Sequence, residues 1–387
     1  MTVDPEGVVE FTAELVRSKS VLGNEGAAAE SVVRCMKALG YDTAFIDEAG
    51  NAVGEIRGAH PGPRIVFDGH LDTVDVQPRD AWTHDPFGAE ISDGRMYGRG
   101  TSDMKGAVAA MVFGAALCDR ERLRGSLVVS ASVGEELIEG AALKPVLDRY
   151  PADLVVIGEA SDLKLVNGGR GRAEVLFRTH GTPSHASAPH LGSNAVHTMR
   201  RVVEQVEAIP VPSESPVGPG VLALTAIVSD PYPAHSVIPS GCEATYERRL
   251  VPGETLEQVM GDFRAACDAA GAPETTVELA TIDYTSYNGW HVAQPKWLPA
   301  WWFSPEQAEI AAARRSLQES GFEAELASYQ FCTNAAYSAG EAGIPTIGLG
   351  PSNETLAHIV DESIALEELV RAVHAYAAVG LSLSPAD

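Results

Sequence analysis

Short apolar segments that alternate with helical patterns constrain the fold of this chain more than any other feature. Residues 127–133 and 154–158 are mostly apolar, as strands are when helices cover both faces of a parallel sheet. Further strands are predicted over 44–46, 53–56, 64–67 and 346–350, and helices over 5–17, 25–39, 104–117, 305–320 and 366–379. Strands that alternate with helices predict an α/β domain with a mostly parallel sheet flanked by helices.

The pattern changes at residue 172, where a second domain is predicted. Residues 172–179 alternate between apolar and polar side chains, as a half-exposed strand does. The predicted elements that follow are a helix over 194–209, strands over 221–228 and 242–250, a helix over 255–270 and a strand over 275–280. The order β-α-β-β-α-β is that of the ferredoxin-like unit. We therefore expect an inserted domain over 172–283, with 1–171 and 284–387 forming one discontinuous domain around it.

The length and charge of the chain narrow the classes of function. A chain of 387 residues suggests two or three domains. Its 28 Lys and Arg residues against 53 Asp and Glu residues give a net charge of −25. A negative field of this size disfavours binding to nucleic acid or to an anionic membrane surface.

The cysteines and the first residues of the chain indicate a reducing compartment. Five cysteines are scattered without a Cys-x-x-Cys pair, which argues against a disulfide framework and against a thiolate zinc site. Residues 1–6 lack the basic and apolar regions of a signal peptide, and no apolar run is long enough to span a bilayer. We therefore expect a cytoplasmic protein.

The first candidate site residues, His70 and Asp72, stand at the end of the strand predicted over 64–67. Residues two apart in an extended stretch point to the same side, so both side chains can emerge on one face. A metal-binding imidazole usually donates its second ring N–H to a carboxylate, and His-x-Asp supplies both groups. Taken alone, a His beside an Asp is more often an ordinary surface pair.

Five further ionisable residues follow predicted strands or begin a predicted helix: Asp103, Glu135, Glu136, Glu159 and His358. Each has an ordinary alternative, namely a helix N-cap for Asp103, a solvated turn for the paired glutamates and a loop imidazole for His358. Open α/β sheets bind ligands at the carboxyl ends of their strands. The shared position of these residues therefore predicts one pocket.

The residue types in this pocket indicate a dication such as zinc, because they are imidazoles and carboxylates without thiolates. Three carboxylates around two dications leave a charge of about +1, and that field lowers the pKa of a bound water molecule to near 7. Glu135 cannot easily bind the same metal face as Glu136. It is therefore the candidate that accepts the proton of this water.

Five motifs occur in the order found in a known family, at 69–74, 97–106, 134–136, 158–159 and 357–362. On these motifs the chain resembles the dizinc amidohydrolases and peptidases that include aminoacylase, acetylornithine deacetylase, succinyl-diaminopimelate desuccinylase and carboxypeptidase G. The resemblance implies a catalytic domain that is interrupted by a ferredoxin-like lid and dimerisation domain. This arrangement agrees with the elements predicted above.

The resemblance also implies roles for the candidate residues and two Zn²⁺ ions, with Co²⁺ or Mn²⁺ as substitutes. The implied metal ligands are His70, Asp103 and Glu159 for one ion, and Asp103, Glu136 and His358 for the other. Asp103 would bridge the two ions. Asp72 would orient His70, and Glu135 would act as the general base.

Three residues of the expected lid extend the implied site. Segment 181–186 is similar to a family segment whose histidine, often from the partner subunit, polarises the scissile carbonyl, and this implies the same role for His185. The alternative is an imidazole that caps local backbone. Asn194 and Arg249 fall where relatives often hold polar or carboxylate groups of the substrate. An ion pair of Arg249 with Glu247 is the alternative for the arginine.

Three positions depart from the family pattern, with Ser236 in place of a common Asn, and Asn334 and Glu247 each in place of a common Asp. None of them is an implied metal ligand, so we expect them to affect the choice of substrate. Asn334 with Thr333, and the aromatic segment 290–303, resemble an uncharacterised bacterial branch of the family that is associated with selenium metabolism.

The sequence thus predicts a metal-dependent hydrolase that cleaves an amide or peptide bond of a small N-acyl amino acid or dipeptide-like substrate through a zinc-bound hydroxide. We also expect a homodimer, because the edge of the lid sheet can pair with a second copy. Two alternatives stay open. One is a non-catalytic relative that binds a metal or a small molecule, and the other is a thiol-based hydrolase that uses Cys332.

Overall fold

The computed structural model describes residue 4 and residues 6–384 of the chain. Its α-helices are α1 (Gly7–Arg17), α2 (Gly26–Ala38), α3 (Gly106–Leu117), α4 (Glu135–Ile138), α5 (Leu143–Arg149), α6 (Ala195–Val206), α7 (Leu256–Ala269), α8 (Ala308–Glu319) and α9 (Leu366–Gly380). Its strands are β1 (Thr43–Ile46), β2 (Ala52–Arg57), β3 (His60–His70), β4 (Glu90–Ser92), β5 (Arg95–Tyr97), β6 (Arg124–Ser132), β7 (Leu154–Ile157), β8 (Leu165–Gly169), β9 (Gly171–His180), β10 (Val221–Asp230), β11 (Gly241–Leu250), β12 (Thr276–Leu279), β13 (Thr281–Thr285), β14 (His291–Pro295), β15 (Trp297–Leu298), β16 (Trp301–Trp302), β17 (Leu326–Tyr329), β18 (Thr346–Gly348) and β19 (Ser363–Ala365). The first helix was expected to begin at residue 5, which lies outside the described residues, as do residues 1–3 and 385–387 at the ends of the expected domain. Among the described helices, none combines the length and apolar character needed to cross a bilayer.

A nine-stranded sheet forms the centre of the described part of the chain, in the order β1-β2-β6-β3-β7-β18-β8-β16 with β17 beside β8. The inner strands β6, β3, β7 and β18 run parallel to one another, and antiparallel pairs lie on both sides of them. Parallel strands of this kind are stable where both of their faces are covered. The predicted α/β class with a mostly parallel sheet is confirmed.

Helices cover the inner strands on both faces. Phe67 and Val129 point into a core that includes residues of α1, α2, α3, α8 and α9, whereas Val66 and Val128 point to the opposite face and pack with residues of α5. This alternation follows from the two-residue period of a strand. It explains why the inner strands are apolar on both faces and why they could be predicted.

A second, antiparallel sheet has the order β10-β11-β9-β12, with β15 beside β9. Along the chain its elements follow as β9-α6-β10-β11-α7-β12, which is the expected β-α-β-β-α-β order. Helices α6 and α7 pack on one face, where the ring of Phe177 meets Tyr246 and Phe263 edge-on with ring centroids 5.4 Å apart. The domain boundaries at 172 and 284 stay a prediction.

Several short strands were not predicted. Strands β4, β5 and β19 pair with one another, although residues 82–100 were expected to be mostly loop. Strand β8 contains Asn167, Gly168 and Gly169, residue types that indicate a loop. A Cβ atom at Gly169 would lie 2.7 Å from Nε1 of Trp301 in the neighbouring strand β16. Gly169 is therefore required because strands β8 and β16 pack closely at this position. The local sequence does not reveal this long-range contact.

Candidate metal centre

The inner strands of the central sheet end at one edge, and candidate ligands follow each of them. His70 is the last residue of β3, and Glu159 lies two residues after β7. Glu136 lies in α4, which begins three residues after the end of β6, and His358 lies in the loop after β18. Because parallel strands present their carboxyl ends at the same edge, side chains from distant parts of the chain meet there.

Asp103 lies between the two imidazoles. Its Oδ1 atom is 3.0 Å from Nε2 of His70, and its Oδ2 atom is 3.1 Å from Nε2 of His358. Helix α3 begins later, at Gly106, and the carboxylate faces the histidines instead of capping that helix. An aspartate in this position can bind one cation with each of its oxygens.

Two groups of three ligands share this aspartate. One group is His70, Asp103 and Glu159, and the other is Asp103, Glu136 and His358. Within each group the ligand atoms lie within 4.8 Å of one another. Imidazole nitrogens together with carboxylate oxygens are a ligand set that zinc accepts. The donors therefore fit a pair of dications that are bridged by Asp103.

Burial and hydrogen bonds shift the pKa values of the candidate ligands Asp103, Glu159 and His358. Burial acts to raise the pKa of Asp103, but the hydrogen bonds with His358 and His70 outweigh it and lower this pKa below its usual range. Burial and repulsion by Asp103 raise the pKa of Glu159 to about 7. The hydrogen bonds with Asp103 and Glu136 raise the pKa of His358 to about 10. The position between the two groups is thus held by a carboxylate that stays ionised at neutral pH.

Asp72 fixes two parts of the site at once. Its backbone carbonyl oxygen accepts a hydrogen bond from Nδ1 of His70 at 2.9 Å, which leaves Nε2 as the nitrogen that can bind a metal. Its carboxylate oxygens accept hydrogen bonds from the backbone N–H groups of Glu135 and Glu136, at 3.1 and 3.0 Å. The carboxylate is 3.6 Å from Nδ1 of His70. The carbonyl therefore orients the imidazole, and the carboxylate positions the start of α4.

Glu135 is a buried acid beside these ligands. Its Oε2 atom is 3.8 Å from Nε2 of His70, and its Oε1 atom has no hydrogen-bond partner among the described residues. Burial, with a further contribution from neighbouring acids, raises the pKa of Glu135 well above its usual value. A buried polar atom without a partner is destabilising. A residue that keeps such an atom in a cleft is a candidate for acid–base chemistry.

Glu362 supports the Asp103 segment and was not singled out by the sequence. Its Oε1 atom accepts hydrogen bonds from the backbone N–H groups of Ser102 and Asp103, at 2.9 and 3.0 Å. Its Oε2 atom accepts a hydrogen bond from the buried guanidinium of Arg99 at 2.6 Å. The sequence feature that could have indicated Glu362 is its position at the end of the motif 357–362, which also contains His358.

Asn334 is buried within the protein beneath the site. Its Nδ2 atom donates hydrogen bonds to Oδ2 of Asp68 at 2.7 Å and to Oγ of Ser132 at 3.1 Å. Its Oδ1 atom accepts a hydrogen bond from the backbone N–H of Gly140 at 2.6 Å. Burial raises the pKa of Asp68 to about 6. These contacts give Asn334 a structural role, and an effect of this position on the choice of substrate stays a prediction.

A cavity of about 480 Å³ lies beside the candidate ligands. Besides Asp103, His358 and five glutamates, the residues that line it include Arg172, Arg249 and Cys332. Arg249 thus lines the cavity, and its role towards a substrate stays a prediction. Burial raises the pKa of the Cys332 thiol well above its usual value, so the thiol stays protonated. A thiol-based hydrolase requires the thiolate, and this shift disfavours that form of Cys332.

His185 and Asn194 are not among the described residues that line this cavity. His185 is exposed, and its Nδ1 atom lies 2.7 Å from Oγ of Ser187 and 3.1 Å from the backbone N of the same residue. These local contacts are those expected if the His185 imidazole caps nearby backbone. Asn194 caps α6 by accepting a hydrogen bond from the backbone N–H of Val196 at 2.9 Å. Roles of His185 and Asn194 towards a substrate stay predictions.

Residues 66–381 match the profile of peptidase family M20/M25/M40. Succinyl-diaminopimelate desuccinylase from Cereibacter sphaeroides (strain ATCC 17029 / ATH 2.4.9) is 28% identical over 390 residues, which covers 95% of this chain and 96% of that protein.

Solved structures share the fold over nearly the whole chain. Aminopeptidase PepT from Bacillus cereus ATCC 10987 has a TM-score of 0.78 at 19% identity, over 99% of this chain and 100% of that chain. The YXEP protein of Bacillus subtilis, described as a dinuclear metal-binding peptidase of the M20 family, has a TM-score of 0.73 at 14% identity, over 98% of each chain. At these identities the likeness is one of fold.

Proposed function

Because this chain belongs to peptidase family M20/M25/M40, we propose that it cleaves the amide or peptide bond of a small N-acyl amino acid or a dipeptide-like substrate. Membership of the family, together with the related desuccinylase, makes it a metal-dependent hydrolase. The observation that carries the proposal is the position of Asp103, whose carboxylate oxygens lie 3.0 and 3.1 Å from the imidazoles of His70 and His358.

The two groups of ligands support a dinuclear site. His70, Asp103 and Glu159 would hold one ion, and Asp103, Glu136 and His358 would hold the other. Zinc is the proposed native metal, with cobalt or manganese as substitutes, because all the ligands are imidazoles or carboxylates. When bound, the two dications supply Lewis acidity and lower the pKa of a water molecule.

Glu135 supplies the acid–base chemistry in this proposal. It accepts a proton from the attacking water and donates that proton to the leaving amine. Its pKa, raised by burial, favours holding the proton between the two steps. Asp72 binds the backbone N–H of Glu135 and so keeps the carboxylate in place. A protein that only bound a metal would have no use for a buried carboxylate with an unpartnered oxygen, and the non-catalytic alternative is not favoured.

Arg249 is the proposed partner of a substrate carboxylate, because it lines the cavity and a guanidinium can bind a carboxylate through two N–H groups. Asn194 and His185 are proposed to contact the substrate as well, with His185 reaching the cavity of the second subunit of a homodimer. The exposure of His185 on its own subunit supports that arrangement. Residues 172–283 are proposed as a lid and dimerisation domain of a cytoplasmic enzyme, inserted between the two parts of the catalytic domain, 1–171 and 284–387.

A hydrolysis screen tests the proposal. The full chain, loaded with zinc or cobalt, is incubated with a panel of N-acyl amino acids and dipeptides, and the released amine is measured. We expect release from at least one class of compound, loss of release after chelation and recovery when the metal is restored. A protein that binds two equivalents of metal but hydrolyses no member of the panel would contradict the proposal.

A further inference from the structure

A row of alternating charges connects the end of α4 to the second sheet. Arg172 of β9 donates a hydrogen bond from Nη1 to Oε1 of Glu139 at 2.9 Å. Its Nε atom lies 2.6 and 3.3 Å from the two carboxylate oxygens of Glu247 in β11. The carboxylate of Glu247 in turn lies 3.2 Å from Nη2 of Arg249. This is the ion pair predicted from the sequence as the alternative to substrate binding by Arg249. All but Glu247 line the cavity. We call these four residues the charge row.

The strand register explains why Glu247 contacts both arginines. Arg172 and Arg249 are directly opposite each other on β9 and β11, and like charges in that position repel each other. Glu247 lies two residues before Arg249, so its side chain is on the same face of the sheet. Its carboxylate therefore interacts with both guanidinium groups.

Glu247 competes with any substrate carboxylate for Arg249, and Arg172 limits this competition. Arg172 lies 2.6 and 3.3 Å from the two carboxylate oxygens of Glu247, whereas Arg249 lies 3.2 Å from this carboxylate. Without Arg172, the carboxylate would be drawn to Arg249 alone, and a guanidinium readily forms a two-point contact with a carboxylate. The net charge of the row would also change from zero to −1. Both changes weaken the binding of an anion at Arg249.

We propose that Arg172 is a positioning residue, which holds Glu247 and thereby leaves the guanidinium of Arg249 available to a carboxylate of the substrate. This inference rests on the proposed function, because it assigns a carboxylate-bearing substrate to the same cavity. The contact of Arg172 with buried Glu139 also ties β9 to the end of α4. The sheet that presents Arg249 is thereby held against the part of the chain that carries Glu135.

Arg178 offers a matched control on the same strand. It lies on β9, contacts Glu243 of β11 at 2.6 Å and also pairs with Glu278 of β12. Its replacement by Gln removes the same charge and a comparable cross-strand ion pair. Because Arg178 is not among the described residues that line the cavity, we expect this variant to bind ligands as the wild type does.

Calorimetric titration of succinate into the zinc-loaded full chain tests the proposal without turnover, because succinate has no amide bond. We expect Arg172→Gln to weaken succinate binding about tenfold, because one charge-assisted contact between Arg249 and a succinate carboxylate would be lost to Glu247. Glu247→Gln removes the competing carboxylate and leaves Arg172 bound to Glu139, so its affinity should be at least that of the wild type. The double variant Arg172→Gln/Glu247→Gln should regain most of the loss.

Thermal unfolding of each variant shows whether it is folded, and Glu247→Gln decides the test if Arg172→Gln does not fold. Three results would overturn the proposal: weaker binding by Glu247→Gln than by the wild type, equal effects of Arg172→Gln and Arg178→Gln, or no binding of succinate by the wild type. Failure of the proposed function has a different signature. In that case the wild type hydrolyses no member of the amide panel, whereas the order of succinate affinities still decides the role of Arg172.

Discussion

Glu362 accepts a 3.0 Å hydrogen bond from the backbone N–H of Asp103, although the two residues lie 259 positions apart in the chain. The same carboxylate binds the backbone N–H of Ser102 and the guanidinium of Arg99. The segment that carries the proposed bridging ligand is therefore held by the end of the loop that carries His358. Because Asp103 belongs to both proposed metal groups, this one buried acid contributes to the geometry of each of them.

Replacement of Glu362 by Gln is expected to lower both metal affinity and stability. The amide cannot accept the three hydrogen bonds through one oxygen, and buried Arg99 loses its counter-ion. Removing one partner of a buried ion pair costs roughly 3–5 kcal/mol, and loss of a residue that supports metal ligands typically lowers metal affinity about 10–100-fold. Competition with a chelator measures the affinity for zinc, and urea unfolding of the metal-free protein measures stability.

The control for this experiment is Glu367→Gln, because Glu367 is an exposed acid in the first turn of α9. It should leave zinc affinity and unfolding unchanged. If Glu362→Gln retained the zinc affinity of the wild type, the hydrogen bonds of Glu362 would have no part in positioning Asp103.

Replacement of Glu135 by Gln is expected to remove activity while the metal stays bound. Loss of a general base lowers kcat about 10²–10⁴-fold. Because burial raises the pKa of Glu135, the neutral amide should also raise the unfolding temperature of the metal-free protein at neutral pH. Amine release, zinc content and thermal unfolding are measured on the same samples.

Glu136→Gln is the comparison for Glu135→Gln, since Glu136 lies in a proposed metal group and its loss should lower zinc content together with activity. Equal zinc loss in the two variants would mean that Glu135 is a ligand and not the base.

The proposed ligands were predictable because each follows a local pattern. Apolar runs mark β3, β6 and β7, and the residues after such runs must lie at one edge when the strands are parallel. His70, Glu136 and Glu159 could therefore be placed together before the fold was known. The pairing of Arg249 with Glu247 was also accessible, because residues two apart on a strand share a face.

The contacts that position those ligands were not predictable. The hydrogen bonds of Glu362 and Asn334 join segments more than 200 positions apart in most cases, and no local period encodes them. The part played by Arg172 depends on the β9–β11 register. The hydrogen bond of the His70 imidazole goes to the backbone carbonyl of Asp72 and not to its carboxylate. This depends on the backbone geometry after the end of β3.

The buried carboxyl of Glu25 predicts a pH dependence of stability. Its Oε1 atom accepts hydrogen bonds from the backbone N–H of Gly23 and the hydroxyl of Tyr284, at 2.8 and 3.3 Å. Burial, and then repulsion by Asp72, raise its pKa above 4.5. The folded protein therefore holds this proton more strongly than the unfolded chain does. The stabilisation is fully present below pH 4.5 and is lost as the pH rises through the pKa of the folded state.

Glu25→Gln isolates this contribution because the amide imitates the protonated acid. The free energy of unfolding of the wild type, relative to that of this variant, should fall as the pH is raised from 4.5 to neutrality. Urea unfolding at successive pH values measures the difference. The same comparison with Glu30→Gln, an exposed position on α2, is the control for removing an acid from the surface. A difference that grows in favour of the wild type with rising pH would refute the assignment.

Position 334 is expected to require an amide. Asn334 donates to the buried carboxylate of Asp68 at 2.7 Å, and an aspartate in its place would put two carboxylates in contact, of which one must hold a proton. Loss of a hydrogen bond to a buried group costs about 1–3 kcal/mol, and more when the group is charged. We therefore expect Asn334→Asp to lower the free energy of unfolding by at least this amount at neutral pH. The loss should be smaller in acid, where the pair retains its proton.

Asn353 provides the matched control, because its Nδ2 atom donates to Oδ2 of Asp162 at the same distance of 2.7 Å but at the surface. Water screens the repulsion between two carboxylates there, so Asn353→Asp should change the free energy of unfolding little at either pH. Urea unfolding of both variants at neutral and acid pH measures the contrast. Equal losses of unfolding free energy in the two variants would mean that water screens Asp68 as fully as it screens Asp162. Position 334 would then not require an amide.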